Sequence, residues 1–351
     1  MKDNRQYNLK GHNTFGIDAR CERYVEYESV EEAQQIHSLL TATDEPVLIL
    51  GAGSNALFTA DYPHAVISAQ PRFDVEPFRL KDDPDGVYLK CWAGTTFDDV
   101  VAYAVNNGMY GAENLSLIPG QVGASAVQNI GAYGAEAKDI ICQVNAVELA
   151  TGRKVEFSNS DCHYSYRQSR FKHDWKGLYL ITYVTYRLSL HFEPLLDYGN
   201  IRKSLEAQGI SWPNARQLRQ TIIDIRKHKL PDPAVLGNAG SFFMNPIVDA
   251  ETFERMHAEH PDLRYFEIEA PAHGEKTYKI PAGWMIEQCG WKGRALGPAA
   301  VHDKQALVLV NKGGATGADV VKLMHAIQHD VQQKFGIMLH PEVNIIPAEN
   351  E

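Results

Sequence analysis

Residues 117–134 read LIPGQVGASAVQNIGAYG, a stretch in which Gly120, Gly123, Gly131 and Gly134 lie within fifteen residues of one another. Glycine loses more conformational freedom on folding than any other residue, so a segment this rich in glycine is costly to order. Such density is typical of backbone that wraps closely around a large ligand. The segment therefore predicts a binding site built from main chain.

A second glycine turn, Gly51-Ala52-Gly53-Ser54-Asn55-Ala56, follows a predicted strand over residues 47–50 and matches the dinucleotide fingerprint G-x-G-x-x-A. A Rossmann turn must open a helix that holds the pyrophosphate, but Asp61-Tyr62-Pro63 leaves almost no room for one. No Gly-Lys-Ser/Thr follows, so a Walker loop is also excluded. Taken alone, the turn is equally compatible with a plain tight turn. Two glycine elements on separate strand–turn units together predict a cofactor with a long pyrophosphate bridge.

The composition is that of a well-packed protein with an acidic balance. Of the 351 residues, 44% are hydrophobic, and 34 Lys and Arg against 44 Asp and Glu give a formal net charge of −10. This balance argues against nucleic-acid and anionic-membrane binding, since both depend on cationic surface. No apolar run approaches the ~20 residues of a membrane-spanning helix, and no secretory signal is expected at the N-terminus.

The cysteines and histidines predict a reduced protein without a metal. The five cysteines are scattered and form no C-x-x-C pair, which favours a cytoplasmic location. The pairs His257-x-x-His260 and His325-x-x-x-His329 are interpreted as solvated helix faces, because neither has the H-E-x-x-H pattern of a zinc site. We therefore expect no metal site.

The order of predicted elements indicates an α+β fold. Helices are predicted over residues 97–106 and from a cap at Thr316 to a stop at Gly336, and a final strand is predicted over residues 337–346. Strands and helices mix without strict alternation. The joint Pro231-Asp232-Pro233 is the best candidate for a domain boundary.

Seven motifs resemble, in order along residues 7–346, those of the UDP-N-acetylenolpyruvoylglucosamine reductase family, flavoenzymes that make the muramic acid precursor of peptidoglycan. The motifs are Asn13-Thr14-Phe15-Gly16, Gly51-x-Gly53-Ser54-Asn55-x-Leu57, Ile118-Pro119-Gly120-x-Val122-Gly123, Gln128-Asn129-Ile130-Gly131-Ala132-Tyr133-Gly134, Tyr166-Arg167-x-Ser169-x-Phe171-Lys172, Gly240-Ser241-Phe242-Phe243-x-Asn245-Pro246 and Pro341-Glu342-Val343. The loop Leu195-Leu196-Asp197-Tyr198-Gly199 is similar to the mobile tyrosine loop of the family's longer, type I form.

The resemblance implies non-covalent FAD, with NADPH as the reductant. It also implies a two-part FAD-binding module of the vanillyl-alcohol-oxidase (PCMH) type, followed by a smaller α+β substrate-binding domain. The expected division is residues 1–78 and 79–228 for the two FAD-binding subdomains, the second including the Tyr198 loop, and residues 229–351 for the substrate domain.

The family's reaction reduces the enolpyruvyl ether of UDP-N-acetylglucosamine to UDP-N-acetylmuramate. The substrate is an alkene conjugated to a carboxylate, so hydride addition pushes charge onto the carboxylate, and an acid must protonate the adjacent carbon. The resemblance assigns the hydride to flavin N5, charge stabilisation to Arg167 with help from Glu342, and the proton to Ser241. From the residues alone, each has an ordinary alternative: a surface cation, a solvent-facing carboxylate and a turn residue.

The resemblance also implies binding residues and two departures. Arg226 and Lys229 would supply cations for the substrate diphosphate. Met244 stands where the family usually has lysine, and His340 where glutamate is common, which alters the charge expected near the substrate. The implied cofactor contacts are Gly51, Gly53, Ser54, Asn55, Ile118, Pro119, Gly120, Gly123, Ser125, Gly131 and Gly134, and the implied substrate contacts are Tyr133, Tyr198, Arg226, Lys229, Asn245 and Gln305.

Two other functional classes stay open at this point. One is an FAD-dependent oxidase or dehydrogenase of the same fold that acts on an alcohol or hydroxy acid; the presence of Ser241 and Glu342 disfavours it. The other is a non-catalytic nucleotide-sugar-binding protein with a decayed flavin site, which the intact glycine motifs disfavour. The expected partners are the UDP-sugar and NADPH, without nucleic acid or membrane, and the chain is expected to be a monomer. No visible feature selects NADPH over NADH.

Overall fold

A computed structural model of the chain describes residues 1–269 and 276–347. The strands in these ranges are Lys2–Asn8 (β1), Arg20–Tyr27 (β2), Leu48–Ile49 (β3), Ala56–Phe58 (β4), Tyr62–Ala69 (β5), Val75–Phe78 (β6), Gly86–Trp92 (β7), Gly131–Ala132 (β8), Ala135–Glu136 (β9), Ile141–Glu148 (β10), Lys154–Ser158 (β11), Tyr179–Ser189 (β12), Gly237–Ser241 (β13), Ile247–Val248 (β14), Phe266–Glu269 (β15), Lys276–Lys279 (β16), Ala295–Leu296 (β17), Ala299–Val301 (β18), Val308–Asn311 (β19) and Asn344–Ile346 (β20).

The α-helices in the same ranges are Val30–Leu39 (α1), Phe97–Asn106 (α2), Val122–Gln128 (α3), Ile201–Ala207 (α4), Ala215–Lys229 (α5), Ala250–Glu259 (α6), Ala282–Gln288 (α7) and Gly317–Phe335 (α8). Short 3-10 helices cover Lys10–His12, Glu113–Leu115, Ala137–Asp139, Ser160–Cys162 and Arg170–Lys172.

Local capping explains the helix boundaries that the sequence predicts. Helix α8 begins after Thr316, whose hydroxyl accepts the N–H of Asp319 at 3.2 Å while the Asp319 carboxylate accepts the N–H of Thr316 at 2.9 Å. This reciprocal capping box satisfies two N–H groups that would otherwise have no partner. The helix ends at Gly336, which takes the left-handed conformation (φ +72°) that glycine adopts at low cost.

The first of two units comprises residues 1–12, 20–53 and 62–228. Its larger sheet has the strand order β11-β10-β12-β7-β6, and all neighbours are antiparallel. A smaller sheet has four strands in the order β1-β2-β5-β3, and β5 runs parallel to both β2 and β3. Helices α1, α2 and α3 contribute Ile36, Phe97 and Val122 to one buried core together with Trp92 of β7.

The second unit comprises residues 13–19, 54–61 and 229–351. An antiparallel sheet has the order β13-β19-β18-β17, and a smaller antiparallel sheet has the order β14-β16-β15. Strand β20 pairs in parallel with β4. Helix α8 packs against β18 and β19, and α7 packs against α8.

The predicted final strand over residues 337–346 is wrong for most of its length. Only Asn344–Ile346 pairs as a strand, with Ala56–Phe58 as its partner. Pro341 has no N–H to donate to a ladder and forms a single bridge with Phe243, after which the chain bends through Glu342. The predicted strand over residues 47–50 is also shorter, at Leu48–Ile49.

Candidate active site

The two glycine segments meet inside the first unit. A Cβ placed on Gly51 would lie 3.1 Å from Oε1 of Gln121 and 3.7 Å from Cβ of Ala124. Gln121 is the N-cap of α3, so the Gly51 turn rests against the start of that helix. The backbones of two segments that are distant in the sequence therefore lie side by side.

The Gly51 turn leads into strand β4 rather than a helix, as the sequence predicts, and this excludes a Rossmann turn. Within the described residues, the N–H groups of Gly51 and Ala52 donate no hydrogen bond to other protein groups. Bare N–H groups in a tight turn can bind a phosphate oxygen. The turn therefore fits one end of a pyrophosphate.

The glycines of the second segment serve protein packing as well. The N–H groups of Val122 and Gly123, in the first turn of α3, donate at 2.9 Å to the carbonyl oxygens of Thr95 and Ala93. A Cβ on Gly123 would lie 3.2 Å from Cβ of Ala93. Part of the glycine density predicted to hold ligand thus lets α3 approach the backbone of residues 93–95.

Ser125, one of the implied cofactor contacts, has its hydroxyl enclosed by protein. Its Oγ donates to the carbonyl oxygen of Val122 at 2.7 Å and lies 2.6 Å from the hydroxyl of Tyr186. Both Ser125 and Tyr186 are buried. The side chain therefore stabilises α3, and a direct contact to FAD through it stays a prediction that these bonds do not support.

Positive φ angles concentrate around this segment. In the part of the chain that the structure describes, six non-glycine residues have φ above zero, and five of them fall between positions 117 and 167. Such conformations cost energy and cluster at functional sites, where the surrounding structure enforces them. The five are Leu117, Asn129, Tyr133, His163 and Arg167.

Arg167 is held against the glycine segment. Its Nη2 donates to the carbonyl oxygen of Gly131, and its Nη1 lies 3.5 Å from the carbonyl oxygen of Asn129 and 3.8 Å from Oε1 of Glu136. The side chain is only 17% exposed, and the guanidinium carbon lies 5.1 Å from the centre of the Tyr166 ring. Arg167 is therefore an anchored cation, not a solvated one.

Tyr133 and Arg226 form an interacting pair in the first unit. Burial raises the pKa of Tyr133, while hydrogen bonding and the charge of Arg226 oppose that shift. Burial lowers the pKa of Arg226, against the charges of Tyr133 and Asp98. The Nε of Arg226 is buried without a hydrogen-bond partner among the described residues. A buried cationic N–H without an acceptor is costly, and a bound anion would supply one.

Tyr198 lies near the segment that carries Tyr133 and near Arg167. Its Cβ would be 3.4 Å from a Cβ placed on Gly134. Burial raises the pKa of Tyr198, and the charge of Arg167 lowers it. The first unit therefore brings together Arg167, Tyr133, Tyr198 and Arg226. Lys229 is the exposed last residue of α5, three positions after Arg226 and so on the same side of the helix.

In the second unit, Ser241 and Glu342 lie on neighbouring backbone segments. Ser241 ends β13 opposite Val308, after a register shift and after Gly240 at φ +71°. The N–H of Glu342 donates at 2.8 Å to the carbonyl oxygen of Phe242, the residue that follows Ser241. Glu342 is half-buried in a bend, which differs from the solvent-facing strand position that the residues alone allowed.

Asn55 fixes the Glu342 bend from the other side. Its Nδ2 donates at 3.2 Å to the carbonyl oxygen of Glu342, and its own carbonyl oxygen accepts the N–H of Asn344 at 3.1 Å. The side chain of Asn55, an implied cofactor contact, is thus engaged with the segment that carries Glu342. Ser54 precedes it in the same turn.

The implied substrate ligands Asn245 and Gln305 converge on the start of α7. Oδ1 of Asn245 accepts the N–H of Ala282 at 2.9 Å. Oε1 of Gln305 would lie 3.3 Å from a Cβ on Gly283. The second unit therefore brings these two amides together, as it does Ser241 and Glu342.

The two departures from the family pattern are backbone partners. The N–H of Met244 donates at 3.0 Å to the carbonyl oxygen of His340. The two positions that the resemblance marks as departures are therefore neighbours across one backbone hydrogen bond.

In the described ranges 1–269 and 276–347, no group of three or more His, Cys, Asp or Glu side chains is arranged to hold a metal ion. No helix in those ranges has the length and apolar character needed to cross a membrane.

Family models match both units of the sequence. A model of an FAD binding domain matches residues 21–158, and a model of the C-terminal domain of UDP-N-acetylenolpyruvoylglucosamine reductase matches residues 232–346. With the mixed strands and helices, these matches define a flavin-dependent oxidoreductase and confirm the predicted fold class and the FAD cofactor.

Relatives that match nearly the whole chain identify the family within this class. The reductase of Bacteroides fragilis is 50% identical over 344 residues, covering 97% of this chain and 99% of the relative. The reductase of Burkholderia multivorans is 45% identical over 338 residues, covering 95% and 94%. The crystal structure of the enzyme from Thermus caldophilus, at 22% identity, superposes with a TM-score of 0.65 over 99% of this chain and 98% of that one. The chain belongs to the UDP-N-acetylenolpyruvoylglucosamine reductase family.

Proposed function

We propose that this chain reduces the enolpyruvyl ether of UDP-N-acetylglucosamine to UDP-N-acetylmuramate, with electrons from NADPH passing through bound FAD. The observation that carries the proposal is the extent of the similarity, 50% identity over 97% of the chain to a reductase of that name. The similarity to reductases over nearly the whole chain disfavours the alternative of an FAD-dependent oxidase or dehydrogenase.

FAD, when bound, supplies the hydride. Residues of the chain then stabilise the negative charge that develops on the substrate and supply the proton. The planar guanidinium of Arg167 would face the substrate carboxylate as negative charge develops on it, because such charge is best stabilised by a cation that is already fixed in place. The bonds of Arg167 to Gly131 and Asn129 support this role, since they fix the guanidinium before substrate arrives.

Ser241 would donate the proton to the carbon next to the one that receives hydride. A serine hydroxyl is a weak acid and needs a neighbouring group to replace its proton. The N–H of Glu342 donates to the carbonyl oxygen of Phe242, the residue after Ser241, and this proximity supports a role for Glu342 as that neighbour. We infer that Glu342 is protonated or hydrogen-bonded in turnover, because a bare anion would repel the charge that forms.

Tyr133, Tyr198, Arg226, Lys229, Asn245 and Gln305 would bind the UDP-sugar. The buried, unpartnered Nε of Arg226 is the strongest support, because a diphosphate oxygen would satisfy it. FAD would contact the segment from Ile118 to Gly134 and the Gly51 turn, in which the N–H groups of Gly51 and Ala52 donate to no other protein group within the described ranges.

The division into residues 1–78, 79–228 and 229–351 is part of the proposal. The start of the C-terminal family model at residue 232 supports the second boundary. A reduced cytoplasmic setting is supported by the five cysteines, all of which are free in the structure. We also propose a monomer that acts only on small molecules, which sedimentation of the holoenzyme would test.

Anaerobic half-reactions test the function. The purified yellow protein should bleach on addition of NADPH and regain its flavin absorbance on addition of the enolpyruvyl UDP-sugar, with UDP-N-acetylmuramate as the product. Reoxidation by oxygen but not by the enolpyruvyl substrate would favour the oxidase alternative. A protein that stays colourless, and takes up no FAD on reconstitution, would overturn the proposal.

A further inference from the structure

Asn114 is a buried polar residue that belongs to none of the seven motifs. It lies in the 3-10 helix Glu113–Leu115 and is 3% exposed. Its Nδ2 donates at 2.8 Å to the carbonyl oxygen of Tyr133 and at 3.0 Å to the carbonyl oxygen of Leu195. Both hydrogens of one amide nitrogen are therefore used, each on a different segment of the chain.

The two carbonyl groups belong to the segments that carry Tyr133 and Tyr198. Tyr133 is held at φ +51°, a conformation that a non-glycine residue keeps only when its surroundings enforce it. Leu195 opens the short segment that reaches Tyr198 three residues later. The Asn114 amide therefore links the two segments through one hydrogen bond to each.

Apolar packing supports the same junction. Leu196 is buried in a cluster with residues of α4 and α5, and Tyr133 packs against that cluster. The cluster is nonspecific in orientation, because apolar burial has no directional preference. The two hydrogen bonds of Asn114 are directional and so set the orientation that the cluster leaves open.

We propose that Asn114 is a positioning residue for substrate binding: it fixes the Tyr133 and Tyr198 segments to each other so that both tyrosines meet the substrate diphosphate. The inference rests on the proposed function for the role of the tyrosines, but not for the arrangement itself. Asn114 touches no substrate in this scheme and acts through the two segments it joins.

Asparagine is the side chain that this junction needs. Aspartate would set an anionic oxygen against two carbonyl oxygens, while leucine has a similar size and no donor. A matched control exists in the same unit, because Nδ2 of Asn159 donates to the carbonyl oxygens of Lys138 and Ile141 at 2.8 and 2.7 Å. Asn159→Leu therefore removes a comparable pair of bonds, made to carbonyl groups of neither tyrosine segment.

The test compares Asn114→Leu with Asn159→Leu as holoenzymes. We expect Asn114→Leu to raise KM for the enolpyruvyl UDP-sugar about tenfold, because two hydrogen bonds between uncharged groups are lost. The value of kcat should stay within about threefold of wild type. Amide hydrogen exchange in peptides spanning residues 195–200 should accelerate without substrate. The control should move neither quantity, whatever its effect on thermal stability.

A double-mutant cycle with Tyr198→Ala identifies the route of action. If Asn114 acts through the Tyr198 segment, adding Asn114→Leu to Tyr198→Ala should raise KM little further. If Asn114→Leu does not fold, Asn114→Ser keeps one donor and should show the same split in smaller measure. Wild-type KM and exchange in the folded variant, or equal effects in the control, would overturn the inference. A wild-type protein inactive on the substrate would instead defeat the proposed function, and the exchange comparison would still decide the arrangement.

Discussion

The Nη2 of Arg167 donates to the carbonyl oxygen of Gly131, so the proposed catalytic cation is fastened to the main chain of the glycine segment. Gly131 also leaves no room for a side chain. A Cβ there would lie 2.7 Å from Nη1 of Arg167 and 2.8 Å from the carbonyl oxygen of Ala135.

Gly131→Ala should therefore displace the Arg167 guanidinium. We expect reoxidation of the reduced flavin by the enolpyruvyl substrate to slow by at least about tenfold, because small misplacements of a positioned group cost this much or more. Flavin reduction by NADPH should change little. Stopped-flow absorbance measures both steps. Gly11→Ala, at a site with no atom within 4 Å of the new Cβ, is the control, and an unchanged reoxidation rate in Gly131→Ala would contradict the anchoring role.

Arg167→Lys tests the planar fork. Lysine keeps the charge but cannot reproduce the geometry of two parallel N–H donors, so reoxidation should slow by about 10²-fold.

The double variant Arg167→Lys/Glu342→Gln tests whether Arg167 and Glu342 act on one intermediate. If they do, its loss in reoxidation rate should be much smaller than the product of the two single losses. Losses in reoxidation rate that simply multiply would show that the two residues do not share an intermediate.

Ser241→Ala should separate the two half-reactions. No carbon is protonated when NADPH reduces the flavin, so that step should stay near the wild-type rate. Reoxidation should slow by ~10²–10⁴-fold, the usual loss when a general acid is removed. Single-turnover traces with each substrate give both rates. Equal slowing of both steps would assign Ser241 a structural role.

Ser125→Ala examines an implied cofactor contact. The variant leaves the buried hydroxyl of Tyr186 without its partner, so the free energy of unfolding should fall by about 1–3 kcal/mol. FAD affinity should be unchanged. Ser125→Ala/Tyr186→Phe should recover much of the stability, because replacing both partners by apolar groups is nearly neutral. Urea unfolding and flavin titration measure these effects, and a large loss of FAD affinity would restore Ser125 as a cofactor ligand.

Glu113 predicts a pH dependence of stability. Its Oε2 accepts the N–H of Gly111 at 2.9 Å, its Oε1 has no partner within residues 1–269 and 276–347, and burial raises its pKa above the ordinary value of 4.5. The folded state then keeps a proton that the unfolded chain has released. The free energy of unfolding should therefore fall as pH rises from 4.5 through the raised pKa, and stay lower above it.

Glu113→Gln should remove this fall. The variant should be more stable than the wild type above the window and show no such gain below about pH 4.5. Urea unfolding across the pH range measures the difference, with the exposed Glu206→Gln as the control. A gain that is the same at every pH would show that ionisation of Glu113 is not its cause.

Short-range signals made much of the fold predictable. Helix α2 occupies the predicted residues 97–106, and the caps at Thr316 and Gly336 locate α8, because both depend on neighbours within one turn. The apolar residues around Pro341 favoured a strand, but strand pairing depends on a partner elsewhere in the chain. That partner, β4, reaches only Asn344–Ile346.

The candidate site was predictable only as a set of motifs. Arg167, Ser241 and Glu342 stand in recognisable patterns, whereas Asn114 and Asp98 do not. Asp98 holds Arg219 at 2.6 Å and the N–H of Leu117 at 2.6 Å, joining α5 to the glycine segment. A single asparagine or aspartate in a helix gives no local sign of such partners, because the contacts exist only once distant segments have met.

The parallel pairing of β20 with β4 constrains how the protein is made. Residues Asn55 and Glu342, which join beside this pair, are 287 positions apart. At about 5–20 residues per second, the ribosome needs roughly 15–60 s to produce the intervening chain. Throughout that time Ala56-Leu57-Phe58, all buried in the finished fold, has no strand to join. Until translation has passed Asn344, the apolar strand β4 therefore stays without the partner strand that it pairs with in the folded protein.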